Sequence, residues 1–345
     1  MRVQTVAAAT ALALLAAVPT PGHAQRGRLN KVIALLEQKK PVFGVYAPSA
    51  GGNRGRAGAA APGVPAPSPS SSPVPRQPID LAKDALAYEA ADFLFNGSME
   101  GGVDRGLPAF TAFIAAMDEA APGLRSGQAG SQPLYLGLTR PFIVKTPKIS
   151  PDPVKAIDNI SRELDAGAAG IMFVEAESAD EVRQGLAAMR FASKGGTRPD
   201  AVGAAPAHWG MSEQEYRRVA DLWPLNPVGE LVNWTIVESR EGLAHVREIA
   251  AVKGIGVLWP GAGTLRGVFS STNAAGERVF DAAGWENAIQ QVLAACKEFH
   301  VPCGYPANAN DIELRMQQGF SVFVMGWGDA GFKAVEMGRK AAGRQ

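Results

Sequence analysis

Glu238 closes the apolar run Leu231-Val232-Asn233-Trp234-Thr235-Ile236-Val237. A carboxylate at the end of a buried strand is either a ligand for a hard cation or one partner of an ion pair, because a bare charge there is costly. A second apolar run, Gly254-Ile255-Gly256-Val257-Leu258-Trp259, ends in the Gly-rich turn Pro260-Gly261-Ala262-Gly263-Thr264-Leu265. Thr264 follows Glu238 by 26 residues, the length of one helix and one strand. Glu100, Arg140, Glu175 and Tyr305 also stand just after apolar runs. Glu100 is either a base or a structural hydrogen-bonding residue. Glu175 is either a second carboxylate beside Glu238 or a rim charge paired with a Lys or Arg. Arg140 needs a partner, functional or structural. Tyr305 either donates to a ligand or packs. Of the four histidines, His208 alone lies in a long connection where it could serve as an acid or base, although a lone loop histidine more often packs.

These residues must be positioned by elements, and the elements alternate. Short apolar runs at 42–46, 93–96, 134–139, 171–175, 231–238, 255–259, 302–305 and 322–325 read as strands, separated by amphipathic stretches. Eight parallel strands with intervening helices predict an α/β fold of the (β/α)8 TIM-barrel type, with a leading helix over 29–39. In such a barrel the site lies at the C-terminal strand ends, which is why the candidates above are few. Ser178 and Ser212, each followed three residues later by Glu, have capping-box spacing. Residues 51–78 form a Gly/Ala/Pro/Ser tract that cannot bury a core and read as a loop insertion after the first strand. The long connection over 194–228 holds Trp209 and Trp223 and is expected to pack against something, such as a neighbouring subunit.

The order of these motifs resembles the HpcH/HpaI (class II 2-oxo-acid) aldolase and citrate-lyase-β-like family. The resemblance rests on Met99-Glu100, on Arg140-Pro141 as the counterpart of the family's Arg-Val-Pro, on Asp165-Ala166-Gly167-Ala168, on Glu238-Ser239 and on the Gly261–Leu265 turn. It implies an aldolase-like carbon–carbon lyase acting on a hydroxylated 2-oxo acid or related small organic acid. It also implies a divalent metal, Mg²⁺ or Mn²⁺, on Glu238 and the Thr264 position, an Arg140 that stabilises an enolate, and a homo-oligomer; Glu175, at the end of the fourth expected strand, is a candidate for the carboxylate that Thr264 does not supply. Three positions depart from the family pattern. Thr264 replaces the second metal carboxylate, Ser98 replaces the Asp of the D-x-E-H-G motif, and Gly101 replaces its His. Two alternatives follow from those departures: a non-catalytic barrel that binds a small acid, and a metal-independent lyase or hydrolase on the same scaffold.

Composition narrows the classes. The chain has 34 basic and 33 acidic residues among 345, so it offers no electrostatic case for nucleic acid. Arg2, the apolar residues 6–18 and Gly22-His23-Ala24 have the layout of a secretory signal peptide cleaved near Ala24. That layout predicts a periplasmic or secreted protein with one barrel domain over 25–345 and no membrane span in the mature chain. Cys296 and Cys303 read first as two packed apolar residues and second as a disulfide.

Overall fold

The computed structural model describes residues 27–49, 76–121, 136–150 and 152–344. The expected signal peptide and nearly all of the Pro-rich tract lie outside the described residues. The tract ends by residue 77, because Pro78 opens the helix Pro78–Ala87 at a position where its missing N–H costs nothing.

Among the described residues eleven strands are formed: β1 (Val42–Tyr46), β2 (Phe93–Asn96), β3 (Phe142–Lys145), β4 (Gly170–Phe173), β5 (Leu222–Trp223), β6 (Leu231–Val237), β7 (Val257–Pro260), β8 (Ser270–Thr272), β9 (Arg278–Phe280), β10 (Gly304–Pro306) and β11 (Val322–Met325). Strands β8 and β9 make a separate antiparallel hairpin. The others pair in parallel in the order β10-β11-β1-β2-β3-β4-β6-β5, with β7 also on β6. One parallel bridge, Leu258 to Cys303, brings β7 to the β10 edge, and Leu258 N–H donates to Pro302 O at 2.9 Å. The protein is thus an α/β fold with a curled, barrel-like parallel sheet. Lys31–Glu37, the leading helix, puts Val32, Ile33 and Leu36 against the inner residues of that sheet.

The inside of the curl is set by alternation. Phe93 and Phe95, Met172 and Val174, Val232, Trp234 and Ile236, Val257 and Trp259, and Val322 and Val324 share one buried cluster, and the intervening residues face the helices. Trp234 stacks on Trp259 with ring centroids 5.3 Å apart and meets Phe93 edge-on at 5.1 Å. Gly304 is needed there, since a Cβ on it would fall 1.8 Å from the Trp259 ring.

Three expectations change. Residues 136–139 are a helical turn, not a strand, and the third strand is Phe142–Lys145. A short run such as Leu-Gly-Leu-Thr carries no period that separates helix from strand, whereas the Ile-Val pair behind Pro141 favours the strand. The long connection packs in part on its own chain: Trp209 is fully buried and donates to Gly167 O at 3.0 Å and Leu222 is buried in β5, while Leu225 and Val228 stay exposed. Finally, Cys296 and Cys303 are bridged, with Cα atoms 5.6 Å apart. The bridge ties the helix Ala282–Glu298 to the strand edge at the β7–β10 seam. A bond closing so short a loop contributes about 2–3 kcal/mol by restricting the unfolded chain. Cys296→Ala with Cys303→Ala is therefore expected to lower the urea-unfolding free energy by that amount, as is reduction of the wild type, with no further effect of reductant on the double variant.

Candidate active site

Alternation also decides which polar residues reach the mouth of the sheet. Glu238 lies two residues beyond inward-facing Ile236, Lys145 two beyond Ile143, and Tyr46 two beyond Gly44. All three belong to one electrostatic cluster. Glu238 and Tyr46 both feel the Lys145 ammonium and the Glu100 carboxylate. Lys145 Nζ sits 3.2 Å from both oxygens of Glu100, which follows β2 by four residues.

Glu238 is 4% exposed. Burial pushes its pKa upward, and Lys145, the Thr264 hydroxyl and the Glu175 backbone N–H oppose that rise. Oε1 accepts the Glu175 N–H at 3.1 Å, and the Thr264 hydroxyl donates to the same carboxylate. Gly261 allows the contact with the following turn, since a Cβ there would lie 2.5 Å from Glu238 Oε2. Ser239 caps the next helix, its hydroxyl accepting the Gly242 N–H at 3.0 Å.

Glu175 joins the cluster through its backbone. Its φ of +48° lies in the left-handed region, uncommon for a residue with a side chain, and its N–H is directed at Glu238. Its side chain turns outward, half-exposed, with Oε2 3.7 Å from Lys148 Nζ. The expectation of a second metal carboxylate at Glu175 is thus not met in this geometry; it is the rim partner of a lysine.

Three other candidates are not in the cluster. Arg140 precedes β3, at its N-terminal end, because the strand lies later in the chain than expected. Its guanidinium donates to Ala85 O and Tyr88 O, each at 2.8 Å, and to Leu86 O at 3.2 Å, closing the C-terminal end of the helix Pro78–Ala87. His208 is buried in the short helix Ala205–Trp209, with Nδ1 3.0 Å from Asp118 Oδ1 and its ring against Gly137 and Gly167. Gly167 precedes β4, so this histidine also lies at the N-terminal end of the sheet, remote from Glu238. Tyr305 faces the helix layer under the Arg315 guanidinium, 4.5 Å from its ring, and burial pushes its phenol up to about 12.

Lys145 and Tyr46 were missed from sequence. The signal was present: once Phe142-Ile143-Val144 is read as the strand, Lys145-Thr146-Pro147 falls where the resemblance places Arg-Val-Pro, and the basic residue at the strand end is a lysine.

A curled parallel α/β sheet with an acid–base cluster on its C-terminal strand ends defines a barrel-like class with its polar site at the mouth. The HpcH/HpaI aldolase/citrate lyase family model matches residues 128–326, more than half of the chain, and the protein belongs to that family. Among solved structures, an HpcH/HpaI aldolase/citrate lyase family protein from Burkholderia cenocepacia J2315 aligns with a TM-score of 0.57 at 21% identity, covering 89% of this chain and 96% of its own. An HpcH/HpaI aldolase from Desulfitobacterium hafniense DCB-2 aligns with a TM-score of 0.56 at 15% identity, covering 90% and 94%. Macrophomate synthase aligns with a TM-score of 0.52 at 19% identity, covering 91% and 87%. At these identities the likeness is one of fold. No curated protein matches this chain.

Family membership makes a divalent cation the natural candidate for this site, and the donors test it. Mg²⁺ takes octahedral oxygen ligands, usually one or two carboxylates with water. Here Glu100 and Glu175 each face a lysine ammonium, Lys145 and Lys148, which would repel a second cation, and Glu238 already accepts from the Glu175 N–H and the Thr264 hydroxyl. Among the described residues no group of three or more His, Cys, Asp or Glu is placed to hold a metal ion. The donor set in this arrangement does not fit a divalent cation.

Two outcomes follow from these placements. Arg140→Met should lower the urea-unfolding free energy by about 1–3 kcal/mol, because three part-buried carbonyls lose their donors. Glu238→Gln should raise Tm at neutral pH. The folded pKa of Glu238 is raised, so the folded state retains this proton to higher pH and the ionised form costs stability above that pKa. That cost fades as pH falls towards the ordinary carboxylate range, and the Tm difference should fade with it.

Proposed function

We propose that the protein is an aldolase-type carbon–carbon lyase that cleaves a hydroxylated 2-oxo acid or a related small organic acid. The observation that carries this reading is a buried carboxylate with a raised pKa, Glu238, set beside the Lys145 ammonium at the mouth of the sheet. A carboxylate whose pKa is lifted towards neutrality is a better proton acceptor at working pH than an exposed one. In the retro-aldol direction Glu238 takes the proton of the substrate hydroxyl. The O–H electron pair becomes the new carbonyl bond, the carbon–carbon bond breaks, and its pair forms the enolate of the remaining 2-oxo acid. Lys145 faces that negative charge, and Thr264 and the Glu175 N–H keep Glu238 oriented. Returning the proton to the enolate carbon completes a redox-neutral cycle.

The same reading takes the curled sheet as a single (β/α)8 barrel domain whose ring closes at the Leu258–Cys303 bridge. It also takes the protein as exported and oligomeric. The amino-terminal leader pattern and the Cys296–Cys303 bridge support export, since disulfides persist in oxidising compartments. No helix among the described residues is long and apolar enough to cross a membrane.

A second reading is favoured by Gly101 and Thr264, which remove two groups expected from the family pattern: a barrel that binds a small acid without turning it over. Release of pyruvate from a panel of 4-hydroxy-2-oxo acids separates the two. Turnover by the wild type that falls by roughly 10²–10⁴-fold in Glu238→Gln, the usual range for loss of a general base, supports the lyase. Saturable oxalate binding with no cleavage of any substrate selects the binding protein instead.

A further inference from the structure

The geometry points to Lys145 as the resident cation of this site and to Glu100 as an internal stand-in for the carboxylate of the ligand, so that a small organic acid binds by displacing Glu100 from Lys145 without a divalent metal. This inference rests on the reading of the mouth as an organic-acid pocket.

Three observations converge on it. First, Lys145 Nζ lies 3.2 Å from each oxygen of Glu100, the symmetric approach that an ammonium makes to a free carboxylate. Second, the two partners differ in how firmly they are held. The Lys145 side chain is 16% exposed, whereas that of Glu100 is 42% exposed and reaches the site from a turn beyond β2 rather than from the strand itself. A half-exposed carboxylate regains water when it leaves, so its contact is worth little and is readily exchanged. Third, the remaining acid, Glu238, is engaged by the Glu175 N–H and the Thr264 hydroxyl, and Lys145 lies within electrostatic reach of it. A divalent ion placed on Glu238 would face that ammonium, whereas an incoming carboxylate would be drawn to it.

A lysine in this role differs from an arginine. Its ammonium is a compact point charge that accepts one carboxylate in place of another without a fixed fork geometry. Glu100 then keeps Lys145 paired while the pocket holds only solvent, and the ligand takes over the charge on entry. On this assignment Glu100 is neither a base nor a metal ligand but a competitor, which gives its removal an unusual sign.

The test is calorimetric titration of oxalate into chelator-stripped protein, with and without added Mg²⁺, across wild type, Glu100→Gln, Lys145→Met and Lys145→Arg. Circular dichroism and thermal melts confirm that each variant is folded. The expected result is saturable oxalate binding without metal, about tenfold tighter in Glu100→Gln, lost in Lys145→Met and restored in Lys145→Arg. Binding that requires Mg²⁺, or that weakens in Glu100→Gln, would overturn the inference while leaving the organic-acid pocket intact. No oxalate binding by any form, with or without Mg²⁺, would remove the pocket itself and the lyase reading with it. Should Lys145→Met fail to fold, the opposite signs expected for Glu100→Gln still decide the matter.

Discussion

A carboxylate held out of water at the mouth of a curled sheet imposes most of what surrounds it. Beneath Glu238 the inward face of β6 continues through Ile236 to Trp234, which stacks on Trp259, so the floor of the site is apolar, aromatic and buried. An acid in such a place must be neutral or fully engaged by donors, because desolvation penalises its charge. The chain supplies donors from two directions: the Glu175 N–H, directed inward by a left-handed residue at the end of β4, and the hydroxyl of Thr264 after β7. Gly261 is part of the same solution, since a side chain there would collide with the carboxylate it borders.

The positive charge of the site answers the same demand. Lys145 arrives on the inward face of β3 and lies near both acids. The two ends of the sheet consequently have different characters. At the C-terminal end, Glu100 pairs with Lys145, Glu175 with Lys148, and Glu238 with the Glu175 N–H and the Thr264 hydroxyl. At the N-terminal end, Arg140 is spent on three helix carbonyls, His208 is packed against Asp118, and Asp92 is buried between Arg344, at 2.7 Å, and Lys31, at 3.2 Å. Those interactions join helices to strands and hold the frame that keeps the mouth in register.

Much of this was legible in the sequence, for reasons that differ from residue to residue. Seven of the eight expected strands overlap observed ones, because buried parallel strands write long apolar runs. Glu238 and Thr264, expected as ligands of one metal, lie within hydrogen-bond reach of each other, since a helix and a strand are all that separate them. Arg140 was misplaced by one short segment: Leu136-Gly137-Leu138-Thr139 is as apolar as Phe142-Ile143-Val144, and the choice between them moves a basic residue from one end of the sheet to the other. That single shift hid Lys145. Tyr46 was hidden differently, because an aromatic residue at a strand end reads as packing until its neighbours are known.

The sequence by itself determined the fold class, the family and the identity of the buried acid, because those depend on local runs and on motif order along the chain. Only the tertiary structure decided the direction of each side chain. Glu175, at a left-handed φ of +48°, turns its carboxylate to Lys148 and its N–H to Glu238, and whether Glu100 faces Lys145 depends on the lateral pairing of β2 with β3. The joining of Cys296 to Cys303 likewise required the distance between a helix end and a strand. Charge interactions fall off with distance and burial, so composition can supply the charges of a site but not their partners.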